Sequence, residues 1–175
     1  MNKFSLLFLS VFATLFGEEV EHLGSGGSFG VKIIERLTSD GVLKLNGTTI
    51  QDLRVTGSLM ATSAVLGELQ VLGEANIRGS RVSQNCSVLG SLRAQDTYFD
   101  GSVTLDALKV VFTGCNLQGI TVRKPNGFKG KQVIELKQGT VVNGPIVFEA
   151  GKGEVHCYGS NYTGQVTGGK VIKKN

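Results

Sequence analysis

The feature that most constrains this chain is a short pattern recurring from Val55 to Lys109: apolar, any, Gly, any, apolar, any, apolar. It reads Val55-Thr-Gly57-Ser-Leu59, Val65-Leu-Gly67-Glu-Leu69, Ile77-Arg-Gly79-Ser-Arg81, Val88-Leu-Gly90-Ser-Leu92 and Phe99-Asp-Gly101-Ser-Val103, with the glycines 10, 12, 11 and 11 residues apart. Alternation around each glycine has the period of a half-buried strand, and the glycine marks a bend or a close backbone approach. Such a chain winds as a β-solenoid. The six-residue spacing of Gly67, Gly73 and Gly79 also fits a coil of three short sides, so two periods stand open. The third repeat places Arg81 and Ser83 where apolar residues belong; either a slip of one residue buries Val82 instead or the coil is locally irregular.

Composition agrees with strands and tight turns: 25 glycines, 2 prolines and no tryptophan in 175 residues. That length suits one domain. The fold expected is all-β, a single-stranded β-solenoid following an N-terminal signal segment, with boundaries at 1–17, 18–30 and 31–175.

Residues 1–17 carry one positive charge, Lys3, and an apolar run from Phe4 to Phe16. Thirteen residues are too few to span a bilayer, which takes roughly 20, and the pattern is that of a secretory signal. Export to the periplasm, cell envelope or extracellular space follows as an expectation. Residues 18–30 are an acidic patch and a Gly/Ser stretch, read as a flexible spacer. Val31–Leu37 and Val42–Leu45 read as the first strands, turned at Ser39-Asp40-Gly41 and Asn46-Gly47. An open solenoid end calls for some capping element. Lys124-Pro125-Asn126-Gly127 reads as a turn that interrupts the ladder, and winding resumes from Gln132.

The C-terminal pattern Thr140-x-Val142-x-Gly144-x-Ile146-x-Phe148, Gly153-x-Val155 and Gly164-x-Val166-x-Gly168-Gly-x-Val171 resembles the bactofilin-like class of polymer-forming β-helical proteins. The 55–109 repeats are similar in kind, so the resemblance covers roughly residues 42 to 172. It implies a right-handed parallel β-helix that assembles end to end without nucleotide, with no catalytic residues to carry over. The chain departs from that class in its export-type N-terminus, since those proteins act on the cytoplasmic side.

Charge is unevenly distributed. Residues 18–120 hold 8 basic and 11 acidic groups, and residues 121–175 hold 9 basic and 3 acidic. Arg123, Lys124, Lys129, Lys131 and Lys137 are therefore candidate contacts for an anionic polysaccharide or lipid surface. Few aromatic residues interleave with them, which argues against nucleic acid. Cys86, Cys115 and Cys157 sit on or beside expected strands; in an exported protein one pair can bridge and leave one free thiol, and the alternative is that all are small buried hydrophobes. Asp96, Asp100 and Asp106 are the acidic residues to test for a carbohydrate-hydrolysing pair, although aspartate at such spacing more commonly forms turns. No metal set or cofactor motif stands out. The leading expectation is a non-enzymatic, exported, self-assembling scaffold of the cell envelope; the alternatives are a surface adhesin or binding module for an anionic polymer and, third, a polysaccharide-acting enzyme.

Overall fold

The computed structural model describes residues 20–124, 127, 129–162 and 164–174. The expected signal segment, Glu18 and Glu19, and Pro125 and Asn126 of the expected turn lie outside them. Among the described residues there is no helix; nineteen strands form one continuous sheet of parallel pairings that winds through about nine turns. The chain is a β-solenoid.

The winding period is set by register. Leu37 pairs with Leu53 and Leu53 with Leu69, a step of sixteen residues; Cys86 pairs with Val103, a step of seventeen. Each coil has three sides, and Gly67, Gly73 and Gly79 occupy the three corners of one coil. The three-sided alternative is therefore the one adopted. The 10-to-12-residue glycine spacing arises from skipping a corner, so the five repeat glycines do not form one stack. Gly57 and Gly90 share a corner with Gly41 and Gly73, in register throughout. Gly67 packs instead on the Gln51 carbonyl, where an added Cβ would lie 2.2 Å from the oxygen, and Gly101 sits likewise over Gln84.

The third corner turns through left-handed backbone at Gly47, Ser63, Gly79, Asp96 and Gly114 in successive coils. The residue that follows points inward and is small: Thr48, Ala64, Ser80, Thr97 and Cys115 are all buried. Three of these side chains reach back to the carbonyl two residues earlier, Ser80 to Arg78, Thr97 to Gln95 and Cys115 to Thr113. Each of these carbonyls also accepts a backbone N–H from the preceding coil, from Ser63, Gly79 and Asp96 respectively, so the buried hydroxyl or thiol is satisfied on an oxygen the ladder already uses.

The core consists of columns of like positions. One runs Ile34, Ile50, Leu66, Val82, Phe99, Leu117, Val142, each paired with the next. Val82 is fully buried and Arg81 exposed, so the third repeat buries Val82 as the one-residue slip required. Phe99 meets Phe112 edge to face at 5.9 Å across the coil interior.

The spacer expectation is corrected over its described part. Val20–Leu23 and Gly26–Phe29 are strands that pair with Ile33–Asn46 and form the first coil. Glycine and serine do not keep a segment loose when a parallel edge offers it a full set of partners. At Gly26 any side chain would be driven into Val42, whose carbonyl oxygen lies 2.2 Å from the added Cβ position, so glycine there permits the stacking.

The ladder is interrupted between Ile120–Val122 and Gln132–Lys137, as the sequence suggested: the step from Lys109 to Val133 lengthens to twenty-four residues. At the mouth of this insertion Gln132 is buried. Its amide donates to the carbonyls of Arg123 at 2.7 Å and Ala107 at 3.3 Å, replacing ladder bonds where the chain leaves the coil.

Candidate functional site

The basic residues singled out in the sequence do not form one patch. Arg123, Lys124 and Lys129 are exposed around the insertion, whereas Lys131 and Lys137 are committed to carboxylates on a neighbouring flat side of the solenoid. Outward residues of a parallel coil stack directly over those of the next, so charges of opposite sign placed one coil apart meet face to face.

Glu135 and Glu154 are the centres of that arrangement, each only 8% exposed. Lys109 and Lys137 reach Glu135 from either side at 2.7 and 2.8 Å. Lys131 and His156 bond Glu154 at 2.9 and 3.0 Å, and Lys170 approaches to 3.5 Å. His156 is also the register partner of Glu135, and the Lys137 ammonium lies 5.2 Å from the Tyr158 ring centre. Burial opposes ionisation of Glu135, but its two lysines outweigh that and hold it below the ordinary carboxylate range. Hydrogen bonds from Lys131 and His156 hold Glu154 at about 2. The cluster laces the last three full coils together across the insertion, and it leaves Lys131 and Lys137 little charge to offer a ligand.

A pH dependence follows, and its sign is fixed by the direction of the shift. A carboxyl that titrates at about 2 when folded and at 4.5 ordinarily contributes stability that is complete above 4.5 and is lost as pH falls toward 2. Glu135 acts in the same sense. The thermal midpoint is expected to fall between neutral pH and a pH midway between those two values, and to fall by less in Glu154→Gln. Equal falls in the two proteins, measured by circular dichroism melts, would remove the cluster from this role.

The three cysteines occupy three different inward columns. Cys86 pairs in register with Leu69 and Val103, Cys157 with Leu136, and Cys115 follows the corner at Gly114. All are buried and none is bridged. Burial pushes the Cys86 thiol up to about 12 and raises Cys115, so neither is a nucleophile at neutral pH.

The acidic residues tested for hydrolysis are separated by the coil. Asp96 turns a corner with φ of 48°, Asp100 bonds Arg81 at 2.6 Å on the next side, and Asp106 lies beyond a further side beside Ala107. They do not converge on one substrate position. Sequence reasoning passed over a groove of about 610 Å³ that runs along the solenoid axis over four coils, lined by Ile33, Glu35, Gln51, Val65, Gly67 and Gln84 among others. It exists because glycine alternates with glutamine at that corner, a signal visible in the sequence only once the sixteen-residue period is known.

What these elements define is a three-sided parallel β-solenoid with a charge-laced flank and one insertion. No protein-family model matches the chain, no curated protein matches it in sequence, and no solved structure matches it in fold.

Proposed function

We propose that this is a structural protein, exported and assembling end to end into a scaffold of the cell envelope. The observation that carries the reading is the state of the two terminal coils. Val20–Leu23 and Gly26–Phe29 pair only with the coil that follows them; Asn161–Tyr162, Val166–Thr167 and Gly169–Lys173 pair only with the coil that precedes them. Among the described residues nothing folds over either edge, and Gly26–Phe29 and Gly169–Lys173 stand there as edge strands. Leu23 and Phe29 at one end, and Tyr162, Val166 and Val171 at the other, are only partly buried against the core.

An unpaired parallel edge is a template for another strand. Contact between unlike ends of a solenoid need not close a ring, and where the rotation does not close it propagates as a filament. Lys173 and Lys174 on the last coil and the glutamates at 18 and 19 in the sequence favour unlike ends meeting, an attraction that salt weakens; Lys170 and Glu21 are paired within the chain, with Glu154 and Lys32. The resemblance to bactofilin-like polymer formers supports the same reading, and the apolar residues 4–16 support export.

The test is fractionation of cells producing the tagged chain, followed by sedimentation and electron microscopy of the recovered protein. Recovery from the exported fraction, with oligomers that grow with concentration and shrink with salt, is expected. Val166→Lys with Val171→Lys, which puts charge at the open end, is expected to give monomers with an unchanged strand spectrum. A wild-type chain confined to the cytosol would end the export claim, and one that stays monomeric at low salt and high concentration would end the scaffold claim.

A further inference from the structure

We propose that the corner edge running from Leu72 through Leu89 and Leu108 to Arg123, Lys124 and Lys129 is a docking edge for an anionic lipid bilayer. The row begins with aliphatic side chains that the fold leaves in water: Leu72 is 52% exposed, Leu89 42% and Leu108 60%. Leu72 and Leu89 are register partners in adjacent coils, so their side chains are one strand spacing apart, about 4.8 Å. Leu89 pairs in turn with Asp106, two residues before Leu108. Leu108 borders Gly90 and Ala107 around an apolar depression of about 370 Å³. Glycines 73 and 90 form the corner beside the leucines and put no side chain over them.

Cations continue the same line. Arg123 donates its backbone N–H to the Leu105 carbonyl at 2.7 Å, which places it one coil beyond Asp106, and Val133 donates to the Leu108 carbonyl at 2.8 Å where the insertion returns. Leu108 therefore stands between the departure and the return of the basic segment. The acidic groups nearby are few: Asp106 is half-buried in the row, Glu149 accepts from the Lys124 backbone N–H at 3.2 Å, and Glu74 lies on the other side of Gly73. Lys131, which pairs with Glu154, is not counted among the free charges.

Leucines followed by arginine and lysine along one corner, with half-buried Asp106 between them, match the two layers of a bilayer surface: acyl boundary for the leucines, phosphate for the cations. A dissolved polyanion would use the cations and leave the leucines hydrated. A second copy of this edge would set cation against cation. The proposal does not depend on end-to-end assembly, because a monomer presents the whole row.

The chain has no tryptophan, so Leu89→Trp introduces a single reporter at the edge, and Leu108→Trp gives a second should the first fail to fold. With vesicles of phosphatidylcholine and phosphatidylglycerol, the emission of the introduced tryptophan is expected to shift to the blue. With phosphatidylcholine alone or with dextran sulfate it is expected to stay where it is. Arg123→Gln with Lys124→Gln is expected to weaken vesicle binding about fivefold per charge and to flatten its dependence on salt. Attachment only through the apolar residues 4–16 would leave both reporters unshifted, and would overturn the proposal. Tight binding of dextran sulfate with no shift on vesicles would overturn it in favour of an anionic polymer site.

Discussion

Gly73→Ala is expected to destabilise the solenoid by more than about 3 kcal/mol, a large effect for the addition of one methyl group. Gly73 has φ of 134°, in a region that side chains rarely enter, and its added Cβ would lie 2.0 Å from the Gly57 carbonyl oxygen. Neither neighbour can yield, since Gly57 and Gly90 flank it in the same ladder. Gly79→Ala supplies the comparison. Its φ is 54° and the nearest atom to an added Cβ is 4.0 Å away, so only the left-handed penalty applies, about 1 to 2 kcal/mol. Urea denaturation of the two variants separates them; a Gly73→Ala midpoint equal to that of Gly79→Ala would show that the corner stack relaxes freely.

That contrast also explains how far the sequence could be read. Alternation on either side of Gly57 and Gly90 announces strands and identifies Val55, Leu59, Val88 and Leu92 as inward, but parity is lost at the other two corners, where Leu66 rather than Val65 and Val82 rather than Arg81 and Ser83 point inward. The coil length is harder to see, since corners are not reserved for glycine. Ser63, Asp96 and Gln138 also carry positive φ, and Gln51 and Gln84 alternate with Gly67 and Gly101 at another corner. Counting glycines therefore skips corners, and sixteen residues is read as ten to twelve. The Gly24–Gly30 stretch departs from its composition for a different reason: composition describes what a segment does alone, whereas the edge of Ile33–Asn46 pairs Gly26–Phe29 as a strand.

The charged flank shows the same limit. Lys131 looks like a free cation in the sequence because its partner is remote along the chain, whereas Lys137 pairs with Glu135, two residues before it on the same face of one strand. Glu154 is twenty-three residues from Lys131, across the pairing of Gln132–Lys137 with Gly153–Tyr158, whose step of twenty-one residues departs from the sixteen of the earlier coils. Arg123, Lys124 and Lys129 lie at the insertion itself and remain exposed, so the distinction between committed and available charge follows from register alone.

Phe99→Ala is the second large expected effect, about 3 to 5 kcal/mol. Phe99 is 1% exposed and stacked between Val82 below and Leu117 above. A helical core can partly close over such a loss by sliding helices together, but here the two neighbours are held at the ladder spacing by backbone hydrogen bonds on both sides. The cavity therefore stays open, and the cavity contribution adds to the lost transfer free energy. Phe112 also loses its edge-to-face partner, worth roughly 0.5 to 1.5 kcal/mol. In a stacked array each coil depends on its neighbours, and a defect at Phe99 lies in the middle of the stack, so it is expected to lower the unfolding midpoint of the whole array rather than fray one end. Leu108→Ala, at an aliphatic residue 60% exposed, is expected to change stability by less than about 0.5 kcal/mol. Urea titrations followed by circular dichroism compare the two; Phe99→Ala unfolding at the same denaturant concentration as Leu108→Ala would mean that this column is not close-packed.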